Sequence, residues 1–199
     1  MNRRALLLPA LAAGLAGCSL FPSVPNVPVR RYALAPRRPF AVEGRGPVLL
    51  VRRMRALPGL MDLGLRRLKA DGSYDLLVYE EWLAPPADLA DAALRAWLQA
   101  SGLFSAVVPQ GSRAEAGFVL ELQLTALEAV PALGEARAGL AGVLLREERL
   151  ASRVVDSLQV QASAPMAPQA EAPAMAAAMT TALGLAFGRL EAALAPLVR

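Results

Sequence analysis

One cysteine, Cys18, and no histidine occur among the 199 residues, so neither an intramolecular disulfide nor a metal site built from imidazoles or several thiolates can staple this fold. Its stability has to come from buried apolar surface. Apolar residues make up 55% of the chain, and a chain of this length can bury most of the surface that unfolding exposes. No stretch beyond residue 17 reaches 18 uninterrupted apolar residues, the length at which a membrane-spanning helix comes into question. The expectation is a single globular domain that does not span a bilayer.

The position of that cysteine carries a second message. Arg3 and Arg4 are followed by the apolar run 5–15 and the small pair Ala16 and Gly17, which supply in order the basic, apolar and small-residue parts of an export signal. Leu15, Ala16, Gly17 and Cys18 resemble a lipobox, in which the thiol accepts a diacylglycerol and becomes the first residue after cleavage. Residues 1–17 are then the signal, and acylated Cys18 is a membrane anchor, stable once two or more acyl chains are attached. A free cysteine after an ordinary signal is the alternative, and the Arg pair also loosely matches twin-arginine export. From Ser19 to Arg30, Pro22, Pro25 and Pro28 recur every third residue, the period of polyproline II. Residues 18–30 therefore read as the lipidated cysteine and a semi-rigid tether, with a ligand for a proline-binding module as the alternative, and residues 31–199 as the body.

Charge is unevenly placed. Between Arg30 and Lys69 eleven basic residues face only Glu43 and Asp62, a net of +9, while residues 70–199 carry −7. Such asymmetry suggests a basic face for anionic headgroups or an acidic partner, with Arg52, Arg53, Arg55, Arg66, Arg67 and Lys69 as candidate contacts. The alternative is internal pairing with Asp71, Asp75, Glu80, Glu81, Asp88 and Asp91. Nucleic acid is a poor partner outside the cytoplasm.

Periodicity places the elements. Residues 31–34 and 47–54 read as strands, and 63–69 and 73–80 as a hairpin about Asp71-Gly72, the strongest short hairpin signal. Pro85 and Pro86 stop that strand, Asp88 is placed to N-cap a helix over 89–101, and Gly102 is placed to end it. A strand at 104–108 precedes 117–130, where Phe118, Leu120, Leu122 and Leu124 alternate with Glu121, Gln123 and Thr125, giving one buried face and one wet face. Two further strands, 136–145 and 153–163, are joined by a polar turn at 146–149. A final helix carries Met175, Met179, Leu183, Ala186, Leu190 and Leu194 at helical spacing. The order predicts an α+β fold, a mainly antiparallel sheet with two helices packed on one face.

The chemistry on offer is sparse. Without histidine, and with Cys18 assigned to the anchor, imidazole triads and thiol nucleophiles are excluded. Glu80 with Glu81, and Glu147 with Glu148, are the candidate carboxylate pairs for glycosidase-type chemistry. Strand neighbours point to opposite faces, so neither pair converges on one bond. No phosphate-binding loop occurs, and Gly139 and Gly142 read as packing or bulge residues. No catalytic residue, metal or cofactor is expected.

Taken together, the residues resemble the PqiC-like ABC-type transport auxiliary lipoproteins. The parts that match are the opening 32–34, Leu57-Pro58-Gly59-Leu60, the Asp71-Gly72 hairpin, Glu81-Trp82-Leu83-Ala84-Pro85 leading into the helix, Leu103, Phe104 and Val107, the alternating strand from Phe118, and the Ala-rich last helix. The chain departs from the family at Gly139, Leu140, Ala141 and Gly142, where such proteins often place an aromatic. The resemblance implies a non-enzymatic lipoprotein at the outer membrane, facing the periplasm. It implies partners in an ABC transporter and a mammalian-cell-entry (MCE) domain protein moving lipid between membranes, and it makes a homo-oligomer around a conduit conceivable. Ser19 after the anchor agrees with that address, since Asp there retains enteric lipoproteins in the inner membrane. A structural or assembly lipoprotein of another outer-membrane complex is the rival reading.

Overall fold

The computed structural model describes residues 27–148 and 151–198; Cys18 and most of the tether lie outside them. Nine strands form one sheet: β1 (Arg30–Tyr32), β2 (Val48–Val51), β3 (Arg55–Ala56), β4 (Gly64–Leu68), β5 (Tyr74–Trp82), β6 (Ala106–Pro109), β7 (Phe118–Val130), β8 (Glu135–Glu148) and β9 (Ala151–Pro165). Two helices, α1 (Pro86–Gln99) and α2 (Ala172–Leu194), complete an α+β domain.

Strand β7 organises the sheet. One of its edges pairs antiparallel with β8 along almost its whole length, and β8 pairs antiparallel with β9. The other edge is shared in succession by β2, β3 and β4, all parallel to it. From there the sheet forks, β6 adding to β2 and β5 then β1 adding to β4. Five of the eight pairings are thus parallel, so the expected mainly antiparallel sheet is corrected to a mixed one. The antiparallel hairpins carry the long registers; the short strands enter parallel because loops and α1 return the chain to the same end.

Both helices lie on one face and touch through Trp97 and Phe187, edge to face at 5.8 Å. The α2 stripe is buried as its spacing requires: Met175, Met179, Leu183, Ala186, Leu190 and Leu194 all join the core. Beneath it β9 and β8 turn inward Leu158, Ala162 and Ala164, and Ala136, Ala138, Leu140 and Leu144. The alanines among them let the helix sit close to the sheet.

Two boundaries differ from expectation. Helix α1 begins at Pro86, a residue suited to the first helical position because its missing N–H would be unpaired there anyway. Asp88 accordingly sits inside the first turn rather than capping it. The expected turn at 146–149 is strand for most of its length, with Arg146, Glu147 and Glu148 paired to Arg153, Ser152 and Ala151.

Candidate functional site: the basic segment and the uncovered sheet edge

Arg52 and Arg53 follow β2, Arg55 is on β3, Arg66 and Arg67 are on β4, and Lys69 is in the turn after it. The Arg52 amide donates to the Leu120 carbonyl, whereas Arg67 pairs with Ala129. Nine residues of β7 separate those points, about 30 Å at roughly 3.3 Å per residue. The charges form a string along the sheet, not a patch.

Most of them are also engaged. Arg52 Nη1 lies 2.6 Å from Glu121 Oε1. Arg53, though its side chain is 74% exposed, grips Asp88 at 2.9 and 3.1 Å. Arg67 Nη2 donates to Asp75 at 2.6 Å, and Lys69 Nζ lies 3.5 Å from the other oxygen of that carboxylate. The Arg67 guanidinium, followed by Lys69, holds the Asp75 carboxyl below its ordinary range. Arg55 is exposed and has no carboxylate partner among the described residues.

Arg66 is set differently. Its guanidinium stacks 3.6 Å above the Tyr74 ring, Nη1 donates to the Gly59 carbonyl at 2.6 Å, and buried Nε lies 3.8 Å from Glu128 without a hydrogen bond. The side chain braces the 57–63 loop against the hairpin more than it presents charge to solvent.

The carboxylate pairs are engaged as well. Glu80 accepts from Arg30 and, at 2.6 Å, from the Tyr32 hydroxyl, and those two donors depress its pKa. Glu81 pairs with Arg31. Glu147 accepts from Ser152. On the sheet face away from the helices, Glu121 is held by Arg52. The Arg137 guanidinium, then Ser163, keep Glu135 below its ordinary range. A concavity of about 790 Å³ between Leu50, Val119, Glu147 and the loop carrying Gln110 and Glu115 opens nearby. Such an array, charged and mutually paired, is suited to contact with another surface.

A feature that periodicity alone did not single out is the far side of the β4–β5 hairpin. Strand β1 covers β5 only at Glu80–Trp82. The rest of that edge is open among the described residues and apolar: Tyr74, Leu76, Val78 and Tyr79 are 47%, 40%, 60% and 50% exposed. The signal was present, since these aromatic and branched residues have no charged neighbours other than Asp75 and Glu80.

No family model matches the chain, and no curated protein matches it. Solved structures do. Protein XCC0632 from Xanthomonas campestris, described as of family DUF330, superposes with a TM-score of 0.66 at 20% identity, covering 82% of this chain and 93% of that one. An uncharacterised protein superposes at 0.59 and 14% identity over 86% and 99%. The hypothetical protein CT253 from Chlamydia trachomatis does so at 0.53 and 10% over 77% and 98%. At such identities the likeness is one of fold: the chain has the fold seen in a DUF330 protein, nearly from end to end of that protein.

Proposed function

We propose that the chain is a non-enzymatic lipoprotein subunit of an ABC-transporter and MCE-domain system for intermembrane lipid transport. Acylated Cys18 anchors it to the outer membrane facing the periplasm, the Pro-rich tether sets its reach, and the body docks the transport conduit. The observation that carries the reading is the coincidence of two independent likenesses: the motif order running through the chain after Cys18, and the fold shared with a DUF330 protein over 93% of its length.

The ion-paired basic string refines where docking takes place. Arg52, Arg53, Arg66, Arg67 and Lys69 are committed to carboxylates of the body, so of the six candidates Arg55 is the one left to meet a partner. No residue is assigned a catalytic role and no metal or cofactor is required.

Epistasis tests this reading. Strains lacking this chain, the MCE-domain subunit, or both should share one envelope-permeability defect, with the double deletion no worse than either single. A defect that adds to that of the MCE deletion would place the chain in another pathway and overturn the reading.

A further inference from the structure

The open edge of β5 has three properties that belong together. Tyr74, Leu76, Val78 and Tyr79 along it are apolar or aromatic and exposed. On the adjoining strand and its turn Arg66 lies opposite Leu76 with its guanidinium over the Tyr74 ring, and Arg67 and Lys69 gather on Asp75. The edge also lies toward the end from which the anchor arrives: β1 runs parallel to β5 with Arg30 opposite Glu80, so the chain preceding Arg30 comes from the Tyr74 side. Only eight residues lie between Cys18 and Val27, a reach of at most about 30 Å.

We propose that this edge is the surface on which the anchored body rests at the bilayer interface, an inference that depends on Cys18 being acylated. A short tether raises the effective concentration of surface and membrane to the millimolar range, so a contact too weak to bind from solution is populated once the anchor is in place. Tyr74 and Tyr79 carry the amphipathic rings that favour the headgroup level, and Arg67 and Lys69 have stems long enough to keep their charges in water while Leu76 and Val78 enter. The unpaired backbone edge stays at that level too, where water can still satisfy it; the hydrocarbon interior would not.

The charges define the kind of contact. Arg67 and Lys69 share Asp75, and Asp71 in the turn balances the remaining cation. The hairpin is close to neutral, so the attraction is interfacial and does not need anionic lipid.

In the acylated chain an introduced cysteine is the only free thiol, which allows a fluorophore to be placed at Leu76→Cys or, as control, at Leu185→Cys on the exposed side of α2. The labelled lipoproteins are reconstituted in phosphatidylcholine vesicles carrying headgroup nitroxide lipid, with and without phosphatidylglycerol. The expected result is quenching at least about twofold stronger at position 76 than at 185, unchanged by phosphatidylglycerol, because an interfacial contact buries its apolar groups only about 5–10 Å deep. Equal quenching at both positions with Cys18 acylated overturns the inference and leaves the anchor standing. Weak quenching at position 76 together with shielding from aqueous iodide would assign the edge to a protein strand, and quenching that requires phosphatidylglycerol would make the contact electrostatic; either overturns it. An unacylated Cys18 in a chain that fails to float with vesicles overturns both the anchor and the inference.

Discussion

Glu191 joins three elements that are far apart in sequence, and its removal should be felt throughout the helical layer. Arg38 donates to both of its oxygens through Nε and Nη2 at 3.0 Å each, and Trp97 Nε1 donates at 2.8 Å. The carboxylate of α2 thereby ties down α1 and the segment that leaves β1. Both charged side chains are 19% exposed. Breaking a fully buried pair costs about 3–5 kcal/mol, and an exposed pair about 0–1 kcal/mol. At one-fifth exposure, and with Arg38 still able to donate to the Phe40 and Ala100 carbonyls, Glu191→Ala should cost about 2–3 kcal/mol, chiefly through the stranded Trp97 N–H and Arg38. For a domain of this size that lowers Tm by roughly 5–10 °C. Glu191→Gln retains an acceptor for Trp97 and should cost about 1 kcal/mol. Urea unfolding followed by tryptophan fluorescence measures both. An Ala variant within about 0.5 kcal/mol of the parent, or a Gln variant as damaging as Ala, would refute the claim that this network holds the layer together.

Three further outcomes are expected. Glu80, Asp75 and Glu135 all have folded pKa values below their ordinary ones of 4.5, 3.8 and 4.5, so the unfolded chain binds more protons in that range. Their stabilisation is full above the ordinary values and is lost as pH falls through the depressed ones; Glu80→Gln should flatten the acid limb of a stability-against-pH curve, and an unchanged limb would contradict the Arg30–Glu80–Tyr32 linkage. At Gly142 an added Cβ would sit 1.9 Å from the Glu121 carbonyl oxygen, backbone that cannot swing away, whereas at Gly72 it meets nothing within 4 Å. Gly142→Ala should therefore cost about 1–3 kcal/mol by overpacking, and Gly72→Ala about 1 kcal/mol, because its φ of +83° is strained for a side chain, with thermal melts giving the order. Arg55→Glu should leave stability within about 0.5 kcal/mol while weakening capture of the MCE-domain partner; Arg52→Glu should lower Tm by placing a carboxylate against Glu121.

The parts of the fold legible in the sequence are those fixed by local chemistry. Gly72 adopts φ +83° at the hairpin turn, and Leu68 pairs with Tyr74 across it, as Asp-Gly predicts. Leu120, Leu122 and Leu124 are buried against half-exposed Glu121 and Gln123, as alternation predicts. Strand direction was not legible, because β2 and β4 meet β7 only after long connections whose return path leaves no periodic trace. The charged end of β8 read as a turn because Arg146, Glu147 and Glu148 look solvated; Arg146 and Glu148 are exposed, but all three are on paired strands. The basic run left a basic face and internal pairing both open; the pairing to Asp75 and Asp88 is found, while Glu121 and Glu128, 69 and 62 residues from Arg52 and Arg66, carry no signal of it. The Glu191 network spans 153 residues from Arg38, a distance over which one sequence carries no signal. The lipobox-like run 15–18 is the reverse case: its reading rests wholly on the sequence, and its residues stand outside the described structure.

The most direct test of the proposed role is crosslinking and purification of the intact chain from membranes, followed by mass spectrometry of its Cys18 and of the proteins that come with it. The prediction is a diacylglyceryl-modified Cys18 together with an MCE-domain subunit. An acylated chain accompanied only by barrel or envelope-assembly proteins would contradict the transport role, and an unmodified Cys18 would contradict the anchor on which it stands.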